Sequence, residues 1–123
     1  ARQLVEGAAQ RNGGIIWDLW HIVKLGIPYD EVMKFPKQYV MGLEINDGYL
    51  KAPPGMDMVT ETTSHRKLCG QGEFDIKGFL AKLPGSNYVG PIGLEVLSQE
   101  LRSWPLEKTA TTAFNTTMAQ FLR

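Results

Sequence analysis

Three short apolar runs, "IIWDLWH", "YVMGLEIND" and "VGPIGLEVLS", alternate in this chain with helix-like segments, and each carries an acid near its end. Residues 2–11 place Leu4, Val5 and Ala8 at helical spacing, with Gly13-Gly14 able to close the helix. Residues 15–20 follow as a strand, 28–35 as a short helix opened by Pro28, and 39–46 as a second strand. A polar stretch from 47 to 74 has little periodicity and is expected to be a long loop. Asp75 can cap a helix carrying Ile76, Phe79, Leu80 and Leu83, which Pro84-Gly85 should stop. Residues 88–97 give a third strand. Pro105 opens a last helix, whose buried stripe would be Leu106, Ala110, Phe114, Met118 and Phe121. An α-β-α-β-α-β-α order implies parallel strands joined by right-handed crossovers.

Three parallel strands are few. A parallel sheet needs cover on both faces and has no tolerance for bare edges. A small open sandwich would leave the acids without a destination. In a (β/α)8 barrel they would point into the mouth at the carboxyl ends of the strands, where such enzymes work. Because side chains alternate along a strand, Ile16 shares a face with Asp18, Gly42 with Glu44, and Gly93 with Glu95. Three carboxylates converging at one mouth repel unless a cation neutralises them, and all-oxygen ligation suits a hard or borderline divalent ion. Spacing alone leaves a second reading open, since a buried acid paired with a lysine is commonplace.

Charge excludes some partners. Lys plus Arg and Asp plus Glu balance at 13 each, so there is no basic field to draw nucleic acid or an anionic membrane. No apolar run approaches the roughly 20 residues that span a bilayer. The single cysteine, Cys69, rules out an internal disulfide and points to a reducing, cytoplasmic setting. "ARQLVEGAAQRNGG" has no uninterrupted apolar core of a signal peptide and no initiator methionine, so the chain is expected to be a piece of something longer.

The segment "DLWHIVKLG" resembles the aspartate-x-x-histidine segment of the sugar phosphate isomerase/epimerase superfamily, the xylose-isomerase-like TIM barrels. The resemblance continues through "GLEIND", "HRKLCGQGEFDIKGFLAKL" and "YVGPIGLEVLS", in the family's order. It implies that residues 1–123 are the C-terminal portion of the barrel domain. They would supply about strands six to eight with their helices. The N-terminal part, including one glutamate that usually completes the metal site, would lie outside this chain. By the same resemblance Asp18 and Glu95 match metal-binding acids, Glu95 also matches the catalytic acid or base, and His21 and Arg66 match residues that contact substrate oxygens. Glu44 stands where the family usually has histidine, or glutamine in some members. With Glu44 as a third ligand, manganese, magnesium or cobalt is expected ahead of zinc. Cys69 replaces the customary proline of the glycine turn.

The implied chemistry is proton removal beside a carbonyl or hydroxyl, with the metal as Lewis acid and a carboxylate carrying the proton. The expected parent is a metal-dependent isomerase or epimerase of a small sugar, polyol or inositol derivative, working through an enediolate-type intermediate. A dehydroshikimate-dehydratase-like lyase and a non-catalytic fragment are the alternatives. The expected partners are a carbohydrate-like small molecule and the remaining barrel segment or another chain; a homo-oligomer is compatible with both. From the residues alone, His21 could merely satisfy a carbonyl and Arg66 could be a surface arginine of a loop. Cys69 reads as a turn residue, since no histidine has a sequence-defined pairing with it. Trp17, Trp20 and Trp104 read as packing, and Met56 and Met58 as part of a loop over the site.

Overall fold

The computed structural model describes residues 1–121. Its elements are α1 (Arg2–Ala8), β1 (Ile15–Asp18), α2 (Leu19–Lys24), α3 (Tyr29–Met33), β2 (Val40–Ile45), α4 (Met58–Ser64), α5 (Ile76–Ser86), β3 (Ile92–Leu94) and α6 (Leu106–Met118). The three strands form one parallel sheet in the order β1-β2-β3. Trp17, Leu43 and Ile45 turn to one face, where they are buried with Ile22, Val32, Ile76 and Phe79 from the helices. Tyr29 meets Phe79 edge-on at 5.0 Å, which locks α3 to α5. On the other face Ile16 pairs with Gly42, and Asp18 with Glu44, which in turn pairs with Gly93.

Several elements differ from the sequence expectation, each for a local reason. The first strand stops at Asp18 rather than residue 20, because the Asp18 side chain accepts from the Trp20 backbone N–H at 2.9 Å and caps α2. The stretch 47–74 is not all loop. Asp57 caps α4 by accepting from the Thr60 backbone N–H at 2.9 Å and its hydroxyl at 2.6 Å. The threonines that follow are weak helix formers and hide this helix from a periodicity search. Pro84-Gly85 does not stop α5. So near the helix end the missing N–H costs one bond of the last turn, and the helix runs to Ser86. It closes at Asn87, in the left-handed region at φ 54°, whose N–H donates to the Pro84 carbonyl.

The third strand is shorter than expected. After Leu94 the chain turns to pair with residues 64–66 instead: Arg66 N–H donates to the Leu97 carbonyl at 3.1 Å and Gln99 N–H to the Ser64 carbonyl at 2.7 Å. The inward face of α6 is also rotated away from the expected stripe. Leu106 is 85% exposed and Phe114 66%, and the helix has no buried residue. Thr109 and Ala113, on a neighbouring face, line a cavity of about 320 Å³ with Leu94 and Leu97. Among the described residues no helix is long and apolar enough to cross a membrane.

A sheet open at both edges, with Ile16 55% exposed on its uncovered face, lacks what a parallel sheet requires. Residues 1–123 expressed alone are therefore expected to give no cooperative, monomeric thermal transition by circular dichroism. A sharp transition at a monomer's sedimentation coefficient would contradict this.

Candidate functional site

The acids meet because the sheet register brings them level. Asp18 closes β1, Glu44 is the penultimate residue of β2 and is its Cα partner, and Glu95 follows β3 directly. Glu95 N–H donates to the Ile45 carbonyl at 3.3 Å, which holds it beside the end of β2. One oxygen from each of Asp18, Glu44 and Glu95 lies within 4.8 Å of the others. Asp18 is buried; Glu44 and Glu95 are half-buried. Glu44 has its pKa raised above the usual carboxylate value, first by desolvation and then by the charges of Glu95 and Asp18, with Arg66 and His21 opposing.

Each oxygen of Asp18 has a separate set of partners. Oδ1 accepts from the Trp20 backbone N–H and from Asn46 Nδ2, both at 2.9 Å. Oδ2 accepts from Arg66 Nη1 at 3.0 Å and lies 3.4 Å from His21 Nε2. The same Arg66 nitrogen donates to Glu95 Oε2 at 2.7 Å. Arg66 thus joins the acids of the first and third strands. His21 is largely exposed one turn into α2, on the open side of Asp18.

Arg66 is no surface residue: it is 3% exposed. Its Nε donates to the Thr62 carbonyl at 3.1 Å, and its guanidinium lies 5.1 Å from the Trp20 ring centroid. Trp20 is held in turn by Thr62, whose hydroxyl accepts from its Nε1 at 3.1 Å, and by Phe74 at 5.7 Å. Lys24 Nζ also stands 5.1 Å from that ring and pairs with buried Glu61 at 2.8 Å. The helix α4 is therefore fixed to α2 by one ion pair and by the tryptophan, and it carries Arg66 into the mouth.

Asp47 orders the glycine turn that follows Arg66. It is buried, and its carboxylate accepts from the backbone N–H groups of Gly48 at 2.8 Å, Gly70 at 2.9 Å and Phe74 at 3.0 Å. Its own backbone exchanges two hydrogen bonds with Lys67, at 2.8 and 3.0 Å. Gly70 takes φ 80°, and a Cβ on Gly72 would strike the Asp47 carboxylate. The "CGQG" glycines therefore serve an internal anion. Cys69 is buried in this turn, and burial raises its thiol pKa to about 11, so it is no nucleophile at neutral pH.

Asn46, Asp47, Glu61 and Lys24 were not singled out by sequence reasoning. "END"-type polar clusters after a strand are common in turns, and only "EIND", three polar residues around one apolar position, hinted that two side chains point back into the protein. Asn46 is fully buried, and its Oδ1 has no hydrogen-bond partner among the described residues. An unpaired buried acceptor costs about 1–3 kcal/mol.

No protein-family model matches the chain. It is 34% identical over 110 residues to a 3-dehydroshikimate dehydratase of Pseudomonas aeruginosa, covering 89% of this chain and 17% of that protein. To the 3-dehydroshikimate dehydratase of Pseudomonas putida it is 29% identical over 107 residues, covering 87% and 16%. The chain thus spans about a sixth of the length of these curated relatives. Among solved structures, the IolI protein, determined with a bound zinc atom, matches 97% of this chain and 41% of its own. The TM-score is 0.82 at 21% identity. A xylose isomerase-like TIM barrel/4-hydroxyphenylpyruvate dioxygenase fusion protein matches 93% of this chain and 18% of its own, with a TM-score of 0.79 at 26% identity.

Asp47→Ala would strand three backbone donors and release the turn after Arg66. In the full-length protein it should lower unfolding free energy by about 2–4 kcal/mol in urea titrations. Wild-type stability would show that the turn is held by other contacts.

Proposed function

The chain belongs to the xylose-isomerase-like TIM barrels, forming part of one barrel, and from that premise we propose that the complete protein is a metal-dependent enzyme of sugar-like substrates. Its reaction on this reading is isomerisation or epimerisation of a small sugar, polyol or inositol derivative. The observation that carries the reading is the meeting of three carboxylate oxygens within 4.8 Å, with Arg66 the fixed cation among them. One positive charge against three negative ones leaves a deficit of two, which a divalent ion matches.

The donors fit such an ion. Asp18, Glu44 and Glu95 would hold it, and an all-oxygen set favours manganese, magnesium or cobalt, with zinc known from the IolI neighbour. When bound, it supplies Lewis-acid stabilisation of negative charge growing on a substrate oxygen. The remaining work belongs to side chains. Glu95 reaches solvent, and Arg66 engages only its Oε2, so Oε1 is left to remove or return a proton at a carbon beside a carbonyl. His21, exposed at the mouth, would bind a substrate oxygen. Arg66, immobilised by Thr62 and Trp20, would steady Glu95 and a developing oxyanion.

A second reading has a specific observation behind it: both curated relatives are named 3-dehydroshikimate dehydratases. A lyase of that kind shares the first proton abstraction, then expels hydroxide from the next carbon, which leaves as water once protonated. On either reading the other barrel strands come from a segment beyond residues 1–123 or from another chain, and the cellular location is cytoplasmic.

Elemental analysis of the purified full-length protein tests the metal. Wild type should carry a near-stoichiometric divalent ion, and Asp18→Asn and Glu95→Gln should lose most of it. Equal content in all three would refute the site. Proton NMR of candidate substrates in D2O then separates the reactions. Deuterium uptake with an unchanged formula supports isomer exchange, loss of water supports the lyase, and a metal-free, inert protein supports a non-catalytic piece.

A further inference from the structure

We infer that Asn46 is a positioning residue that aims the Asp18 carboxylate at the cation site. The inference rests on the metal reading above. Asn46 follows β2 directly, two residues beyond Glu44, so its side chain leaves the strand on the same side. It is fully buried, and its Nδ2 donates to Asp18 Oδ1 at 2.9 Å. With the Trp20 backbone N–H at 2.9 Å on the same atom, Oδ1 is occupied by two donors. Oδ2 is thereby turned toward His21 and Arg66.

The orphaned Oδ1 of Asn46 shows which of its bonds matters. Flipping the amide would set its oxygen against Asp18 Oδ1, two acceptors face to face, so the amide orientation is fixed by Asp18 alone. A residue placed here only to fill space would be apolar and would bury no unpaired acceptor. Without the amide, Asp18 Oδ1 keeps only the capping N–H, and the carboxylate is held less firmly, by that N–H and by Arg66 on Oδ2. The cation would then meet an acid whose aim is less sharply fixed. Partners of this kind behind a metal ligand typically contribute tenfold to a hundredfold in metal affinity.

The test uses the full-length protein stripped of metal, titrated with Mn2+ and followed by electron paramagnetic resonance, alongside its thermal unfolding without metal. Asn46→Leu should weaken Mn2+ binding by about tenfold or more, while the metal-free melting temperature stays the same or rises because the orphaned acceptor is gone. Asn46→Ala, which only removes atoms, gives the same affinity readout if leucine does not fit. Wild-type affinity in a folded variant would overturn the inference, and so would a lower melting temperature with unchanged affinity, the mark of a purely structural role. If the wild-type protein itself binds no Mn2+, the metal reading falls and takes this inference with it; that failure is distinguishable because it shows before any substitution is made.

Discussion

A single guanidinium nitrogen, Nη1 of Arg66, bonds to Asp18 and Glu95 at once, and the arrangement of the strand ends depends on it. Two like charges about 5 Å apart repel by roughly 3 kcal/mol at an effective dielectric constant of about 20. Three acids at that spacing would not gather without compensation. Arg66 offsets part of the repulsion; Glu44 still has a raised pKa, first because burial desolvates it and then because of the charges of Glu95 and Asp18. The rest of the local structure serves to keep that nitrogen in place. Thr62 takes Nε, Trp20 lies under the guanidinium, and the Lys24–Glu61 pair ties the helix before Arg66 to the helix after Asp18. Backbone pairing on both sides, to Leu97 and through Lys67 to Asp47, fixes the segment between the ends of the second and third strands.

This architecture puts all its rigidity on one side. Trp17, Leu43 and Ile45 pack under helices, while Ile16, Gly42 and Gly93 present a thin, largely uncovered face. In a closed barrel that face is the interior, filled by side chains from the other strands. The exposed apolar edge of the last helix, with Leu106 and Phe114, belongs to the same pattern of surface left without cover. The site sits at the rim of this face, where the register of three strands, rather than any loop, sets the positions of the acids.

The sheet and the acids were legible in the sequence because both follow from short-range rules. Alternation fixes which residues share a face, and a lone acid at a strand end has little choice of direction. What was not legible depends on long-range pairing. Asp18 looked like a strand residue and is also a helix cap. The helix Met58–Ser64 is weak in intrinsic propensity and stands because Glu61 pairs with Lys24 across the fold. Pro84 seemed a stop, yet Asn87 is the cap. Asn46 reads as the last residue of the second strand and Asp47 as the start of a loop; their side chains point inward, one to Asp18 and one to the glycine turn, which no local pattern states. The last helix was read by periodicity alone, and periodicity does not say which face finds a neighbour.

The central claim is that the charge deficit of Asp18, Glu44 and Glu95 is met by a divalent cation bound among them. The most direct measurement is an anomalous-difference map from crystals of the full-length protein grown with Mn2+. The account predicts a single strong peak about 2.0–2.6 Å from an oxygen of each of the three carboxylates, with Asp18 presenting Oδ2. No peak at that position in crystals that show Mn2+ elsewhere, with Arg66 still bonded to both acids, would contradict it.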